Sequence, residues 1–191
     1  MGVNYGVTPA FKDYLVATIP YSTADTIHSF NAGIEFLGGF ERDISPTISA
    51  GAEYSYFLRS LYYTYSFAVF DYTIKNHQPY LFFNYNVSKT NIDFKAGLMA
   101  GYHFQEVESA VSASQTEKYS SSGPSVRLSF TVLPKFSKNV SLYANGFAFA
   151  NFYSKLKNSS GVILAAQNGT NEADLSGYGV GVRLGLLFYI N

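Results

Sequence analysis

From Leu175 to Ile190 the chain alternates residue by residue. Tyr178, Val180, Val182, Leu184, Leu186, Phe188 and Ile190 fall on one side, and Gly177, Gly179, Gly181, Arg183, Gly185, Leu187 and Tyr189 on the other. A period of two predicts a β-strand with one continuous apolar face. The segment is longer than the five or six residues of an ordinary globular strand, and long enough to cross a bilayer obliquely. Glycines with a single arginine on the opposite face suit a crowded polar interior better than an oily core.

The same rhythm recurs along the chain and predicts eight strands. The first is short, about Gly2 to Thr8, with a loop after it from about Pro9 to Asp25. The second sets Phe30, Ala32, Ile34 and Phe36 against Ser29, Asn31, Gly33 and Glu35, and Glu41-Arg42-Asp43 is expected to turn the chain before Pro46. The third carries Ile48, Ala50, Ala52, Tyr54 and Tyr56 on one face. A Tyr-rich excursion with strand extensions of its own covers about Leu61 to Gln78. The fourth strand carries Leu81, Phe83, Tyr85 and Val87, and Ser88-Lys89-Thr90-Asn91 makes a tight turn. The fifth carries Ile92, Phe94, Ala96, Leu98, Ala100, Tyr102 and Phe104 and is expected to give way to a Ser-rich loop over Glu106 to Ser122. The sixth, with Val126, Leu128, Phe130 and Val132, is bracketed by Pro124 and Pro134. In the seventh, about Val140 to Tyr153, Phe147 and Phe149 interrupt a face that also carries Asn145 and Asn151, so a register-switching bulge is expected. A Ser/Asn/Gly-rich loop from Lys155 to Asp174 leads to the last strand.

Three connections read as short (near Arg42, Thr90 and Ser137) and four as long (near Tyr14, Phe70, Gln115 and Ala166), in strict alternation. An even number of antiparallel strands with short turns at one rim and long connections at the other predicts an all-β fold: an eight-stranded antiparallel up-and-down transmembrane β-barrel, one domain over residues 1–191.

Charge decides which face turns inward. Were the apolar faces to line a soluble cavity, the outer surface would need to be well charged, yet the opposite faces offer mainly Gly, Ser and Asn. With the apolar faces on lipid, Glu35, Glu53, Lys95, Arg127 and Arg183 fall together at mid-wall inside the barrel as an ion-pair network. Outside, each Lys or Arg at mid-bilayer would cost about 2–4 kcal/mol. Asp93, on the same face, is expected to balance Lys95 or Arg127. The layer is open to two readings, a gate on a polar path or a side-chain plug, and the narrow interior of an eight-stranded barrel favours the plug.

Composition narrows the field further. Formal net charge is +0 and 14% of residues are charged, which disfavours a nucleic-acid partner. Cys is absent, so disulfides and thiolate metal sites are excluded. No run of about 18 apolar residues predicts a transmembrane helix. Met1-Gly2-Val3-Asn4-Tyr5 does not read as a secretory leader. With so short a first strand, the expectation is a mature or truncated form whose precursor has upstream residues.

Arg183-x-Gly185-x-x-Phe188-x-Ile190 resembles the C-terminal β-signal of bacterial outer-membrane proteins, although the chain runs on to Asn191 instead of stopping on an aromatic residue. Together with the eight alternating strands and the asymmetric connections, it makes the whole chain resemble the small outer-membrane β-barrels of the OmpA, OmpX and OmpW type, in a barrel-only form. The resemblance implies a bacterial outer-membrane location, contact with outer-membrane lipid and lipopolysaccharide, and recognition by the outer-membrane assembly machinery.

Catalytic and metal chemistry find little support. The three histidines, His28, His77 and His103, have no close spacing, no matching carboxylate cluster and no Ser partner on the same strand face. The expectation is a non-enzyme with no metal and no cofactor. Tyr62, Tyr63, Tyr65, Phe67, Phe70 and Tyr72, with Arg59 and Lys75 nearby, form an aromatic group in the second long connection. They read either as a contact site for an extracellular or outer-membrane protein partner or, preferably, as the outer aromatic girdle of extended strands. The functional expectation is a surface structural or interaction protein. The alternatives are a narrow channel for small or hydrophobic solutes, a lipid A-modifying enzyme and a soluble lipocalin-like binder.

Overall fold

The computed structural model describes residues 1–19, 32–65, 68–111, 116–135, 139–166 and 171–189. Among them run eight strands, β1 (Gly2–Val7), β2 (Ala32–Ser45), β3 (Ile48–Tyr65), β4 (Ala68–Ser88), β5 (Ile92–Val111), β6 (Glu117–Pro134), β7 (Val140–Asn151) and β8 (Gly177–Phe188), and a helix, α1 (Pro9–Thr18). Each strand pairs antiparallel with the next. The ring closes between β1 and β8, from Gly2↔Arg183 to Val7↔Tyr178. The fold is a small all-β barrel.

Parity assigns the two faces of the wall. Leu98, Phe130 and Leu184 lie on the outside at 55%, 53% and 63% exposure, with Phe36, Phe83, Leu128, Val180 and Val182 around them. Glu35, Arg127 and Arg183 point inward and are buried. This is the inverse of a water-soluble barrel, whose oily residues meet in the centre.

Several boundaries differ from the sequence reading, each for a local reason. Glu41-Arg42-Asp43 does not turn the chain: these residues continue β2 opposite Gly51, Ala50 and Ser49. The reversal falls at Pro46 and Thr47, where the Ser45 hydroxyl accepts from the Thr47 and Ile48 amides at 3.3 and 3.1 Å. Glu106 to Ser122 is not a loop. β5 runs on to Val111 and β6 starts at Glu117, with Val107 and Tyr119 inside while Glu106 and Lys118 face out. There the outer face carries Glu106, Glu108, Lys118 and Ser120 instead of apolar residues, which hid the strand.

The Tyr-rich excursion is likewise strand, β3 to Tyr65 and β4 from Ala68. Pro124 lies within β6, and Pro79 within β4, where the ladder to β5 passes from His77↔Phe104 to Tyr80↔Gly101 without changing register. The expected bulge in β7 does not occur, because its pairing with β6 and with β8 keeps one register throughout. Phe147 and Phe149 simply face the lumen.

Glycines on the neighbouring strands make room for those rings. Gly181 is paired with Phe147, and a Cβ there would lie 2.3 Å from the ring. A Cβ on Gly33 would lie 2.2 Å from the Phe57 ring. Small and large residues thus alternate around a narrow interior, as close packing of a barrel this size requires.

The first long connection opens with α1, not with a loop. Pro9 sits at its start, where a missing N–H costs nothing. Phe11, Tyr14 and Leu15 occur at helical spacing and are buried. They meet Leu61, Phe70, Tyr72, Ile74 and Val107 of the wall, and Leu156, Leu164, Ala173 and Leu175 of the segment before β8. This apolar cluster caps the lumen at the end with long connections.

Replacing Gly181 by Val is expected to destabilise the barrel by about 1–3 kcal/mol by overpacking against Phe147. Gly146→Val, on the same sheet with nothing within 4 Å of the added carbon, should stay within about 0.5 kcal/mol of wild type. Urea unfolding of the refolded protein reads both, and equal effects at the two sites would refute this packing.

Candidate functional site: a buried charge cluster in a capped lumen

Four strands each contribute one charged residue to the middle of the lumen: Glu35 (β2), Glu53 (β3), Arg127 (β6) and Arg183 (β8). Arg183 binds Glu35 with two parallel bonds, Nη2 to Oε1 at 2.6 Å and Nε to Oε2 at 2.9 Å. Its Nη1 reaches the Glu53 carboxylate at 3.0 Å. Arg127 donates from Nη1 and Nη2 to the same Glu35 Oε1 at 3.3 Å, and from Nη2 to Gln78 Oε1 at 3.3 Å. Glu35 is wholly buried and Arg127 and Arg183 are nearly so. Two positive and two negative charges therefore offset one another, with Glu35 and the two guanidiniums buried and Glu53 bordering the cavity below, which is the condition under which buried ions are tolerated.

Aromatic faces complete the enclosure. The Arg127 guanidinium lies 4.2 Å from the Phe147 centroid and 4.5 Å from that of Tyr80, and Arg183 lies 4.6 Å from Phe147. One phenyl ring thus covers both arginines, an attraction that strengthens where water is excluded. Sequence reasoning missed Phe147, Tyr80 and Gln78 as members of the site. The available signal was parity, since Phe147 shares its strand face with Asn145.

Lys95 does not join the four. Across β5 and β6 its neighbour is Thr131, whereas Arg127 is opposite Met99, four residues further along β5. At about 3.3 Å per residue this separates Lys95 from the cluster by about 13 Å. It pairs instead with Glu41 at 2.8 Å, and Glu41 also accepts from Asn84 at 2.9 Å and from Ser49. Asp93 balances neither Lys95 nor Arg127, but binds Lys135 at 2.9 Å, just beyond the end of β6. The lumen therefore holds charge in tiers. A cavity of about 260 Å³ lies beside the Glu41–Lys95 tier, toward the end with short turns.

Of the candidate β-signal, Arg183 is committed to the cluster, Gly185 faces Tyr143, Phe188 is exposed on the outer wall, and Ile190 lies outside the described residues. The aromatic group is divided by strand alternation. Tyr62 is exposed, Tyr63 is half-buried, and Phe70 and Tyr72 are inside the cap, where the Tyr72 and Tyr14 hydroxyls are 3.4 Å apart. Phe67 and the side chain of Tyr65 fall outside the described residues. His103 is buried, with Nδ1 2.6 Å from the Tyr153 hydroxyl, and His77 sits on the outer wall, 2.5 Å from that of Tyr54. His28 lies outside the described residues. Among the described residues no three His, Cys, Asp or Glu side chains converge as metal ligands.

On the outer wall, toward the capped end, charges form a ladder. Glu108 binds Lys75 at 2.8 Å and Lys118 at 2.9 Å, and Lys118 also reaches Glu106 at 3.3 Å. The hydrogen bonds from Lys75 and then Lys118 hold the Glu108 carboxyl down, from its ordinary 4.5 to about 2. No protein-family model, curated protein or solved structure matches the chain.

Glu35→Gln leaves two buried guanidiniums facing a single carboxylate and is expected to cost about 3–5 kcal/mol on urea unfolding. Adding Arg127→Met should recover part of that loss. A cost below about 1 kcal/mol for the single change would mean that Glu35 is not the shared counter-ion. The Glu108 ties stabilise the fold above pH 4.5 and weaken as pH falls toward 2. Part of the acid dependence of unfolding in that window should therefore disappear in Glu108→Gln, and an unchanged profile would show that the ladder contributes nothing.

Proposed function

We propose that this chain is an integral β-barrel of a bacterial outer membrane, of the OmpA, OmpX and OmpW kind, serving at the cell surface as a structural or interaction protein. The observation that carries the reading is the outer wall. Outward positions from Pro79 to Val87 on β4, Phe94 to Phe104 on β5, Pro124 to Val132 on β6 and Tyr178 to Phe188 on β8 form one apolar belt. Nine to eleven residues inclined at about 45° span a band about 25 Å tall, the height of the apolar band that barrels present to an outer membrane.

The edges of the belt carry the residues that suit a membrane interface. Tyr54, His77 and Tyr102 lie at its upper margin, followed by the Lys75–Glu108–Lys118 ladder. Arg42, Lys89 and Lys135 lie near the opposite rim. Among the described residues, ionic groups at both margins and none across the middle of the outer wall is the distribution that the depth-dependent cost of charge in lipid demands.

The interior favours a closed barrel. The ion cluster under Phe147 fills the waist, and the α1 cap fills one mouth. The extensions of β3 to β6 rise about 20 Å beyond the belt at a strand rise of 3.3 Å, and offer the surface on which an extracellular or outer-membrane partner would dock. Lipid and lipopolysaccharide would contact the belt, and the assembly machinery would read Arg183, Gly185 and Phe188 on the edge of β8.

Tryptophan introduced singly at Leu184 or Leu128 should be quenched by lipids brominated on their acyl chains, and at Thr73, beside the ladder, it should not. Equal quenching at all three positions, or a protein that stays dispersed without detergent, would overturn the membrane assignment. In planar bilayers the wild type is expected to carry no unitary current. A reproducible current that changes in Arg183→Ala would favour the channel instead.

A further inference from the structure

Between the ion cluster and the apolar cap lies a second, smaller chamber of about 30 Å³. Leu175 and Ile74, both part of the cap, close it on one side, and Arg127 closes it on the other. Its polar lining is dominated by hydrogen-bond donors. Arg59 and Arg127 bring guanidinium groups, Asn76, Gln78, Gln105 and Asn151 bring amides, and no described lining residue is a carboxylate.

The bonding of these groups sharpens the polarity. Gln78 Oε1 already accepts from Ser55 at 3.0 Å and from Arg127 at 3.3 Å, Gln105 Oε1 from Ser121 at 3.3 Å, and Asn151 Oδ1 from Ser125 at 2.6 Å. With their carbonyls engaged, Gln78 and Asn151 have mainly N–H to offer an occupant, while Gln105 also bonds the Tyr153 hydroxyl. Arg127 spends both Nη atoms on Glu35 and Gln78, and its buried Nε–H has no acceptor. Asn76 is the exception, donating from Nδ2 to Tyr153 at 3.3 Å and keeping a buried Oδ1 without a donor.

We infer that this chamber is a binding site for one monatomic anion of the halide class, chloride being the chemically ordinary one. A donor-lined hole beside two guanidiniums lowers the energy of a negative charge placed in it, and burial removes the water that would compete. The volume holds about two water-sized bodies, so an anion fits with one water, which donates to Asn76 Oδ1. A polyatomic oxyanion does not fit. The anion is held by the amide N–H groups and the free Arg127 Nε–H, and the site stands whether lipid or water meets the outer wall.

The test uses the full-length protein refolded in detergent. Above the dissociation constant, each tenfold rise in chloride or bromide at constant ionic strength should lower the unfolding equilibrium constant about tenfold, whereas gluconate should not. Crystals grown in bromide should show an anomalous peak in the chamber, between Arg127 and Gln78. Gln105→Glu, which supplies a tethered negative charge, should abolish the halide dependence. Ordered water in place of bromide, or bromide in crystals without halide dependence in solution, would overturn the inference, as would full halide dependence in a folded Gln105→Glu protein.

Discussion

One carboxylate holds the interior together. Glu35 accepts from Arg127, which comes from β6 across the ring, and from Arg183, which comes from β8 two strands away, and its removal would leave like charges close together in a buried space. Much of the surrounding design follows from keeping that arrangement neutral and dry. Glu53 supplies the second negative charge, and Phe147 covers both guanidiniums. Glycine opposite Phe147 gives the ring its place. Most of the oily side chains of the wall are on the outside, so the waist is filled by ion pairs packed against a few aromatic rings.

Away from the waist the interior changes character along its axis. Toward the short turns it is polar, tied by Glu41 and Lys95. Toward the long connections it becomes a conventional apolar core, with Phe11 and Leu15 of α1 fully buried. Burying such side chains is worth about 1.5–3 kcal/mol each. The cap is therefore a stable structural unit, not a loosely placed loop, and the barrel has two interiors governed by different forces.

The fold was legible wherever period-two alternation separated apolar from small or polar residues, as in β5 and β8. It was misread where the outer face turns polar, as at Glu106 to Ser122, because there glutamate, lysine and serine replace the outward apolar residues and only Val107 and Tyr119 mark the inner face. Pro9 followed by Phe11, Tyr14 and Leu15 carried a helical signal inside a region read as loop. Glu35, Glu53, Arg127 and Arg183 were readable from parity alone. Pairing was not. Whether Lys95 meets Glu53 or Glu41, and whether Asp93 meets Lys95 or Lys135, depends on the stagger between tilted strands, which no single strand encodes. Phe147 was visible but unexplained until its two cationic neighbours were in place.

The seam between β1 and β8 joins residues at opposite ends of the polypeptide, Gly2 to Arg183. Neighbouring hairpins can zip locally, but this contact must wait for nearly the whole sequence to be ordered, and bridging so long a separation is slow. Arg183 belongs to that seam and to the ion cluster alike. Sealing the cylinder and neutralising its waist are consequently one event, and a partly wound intermediate would carry mismatched ions that penalise stopping short. The topology thereby makes completion cooperative at its final step.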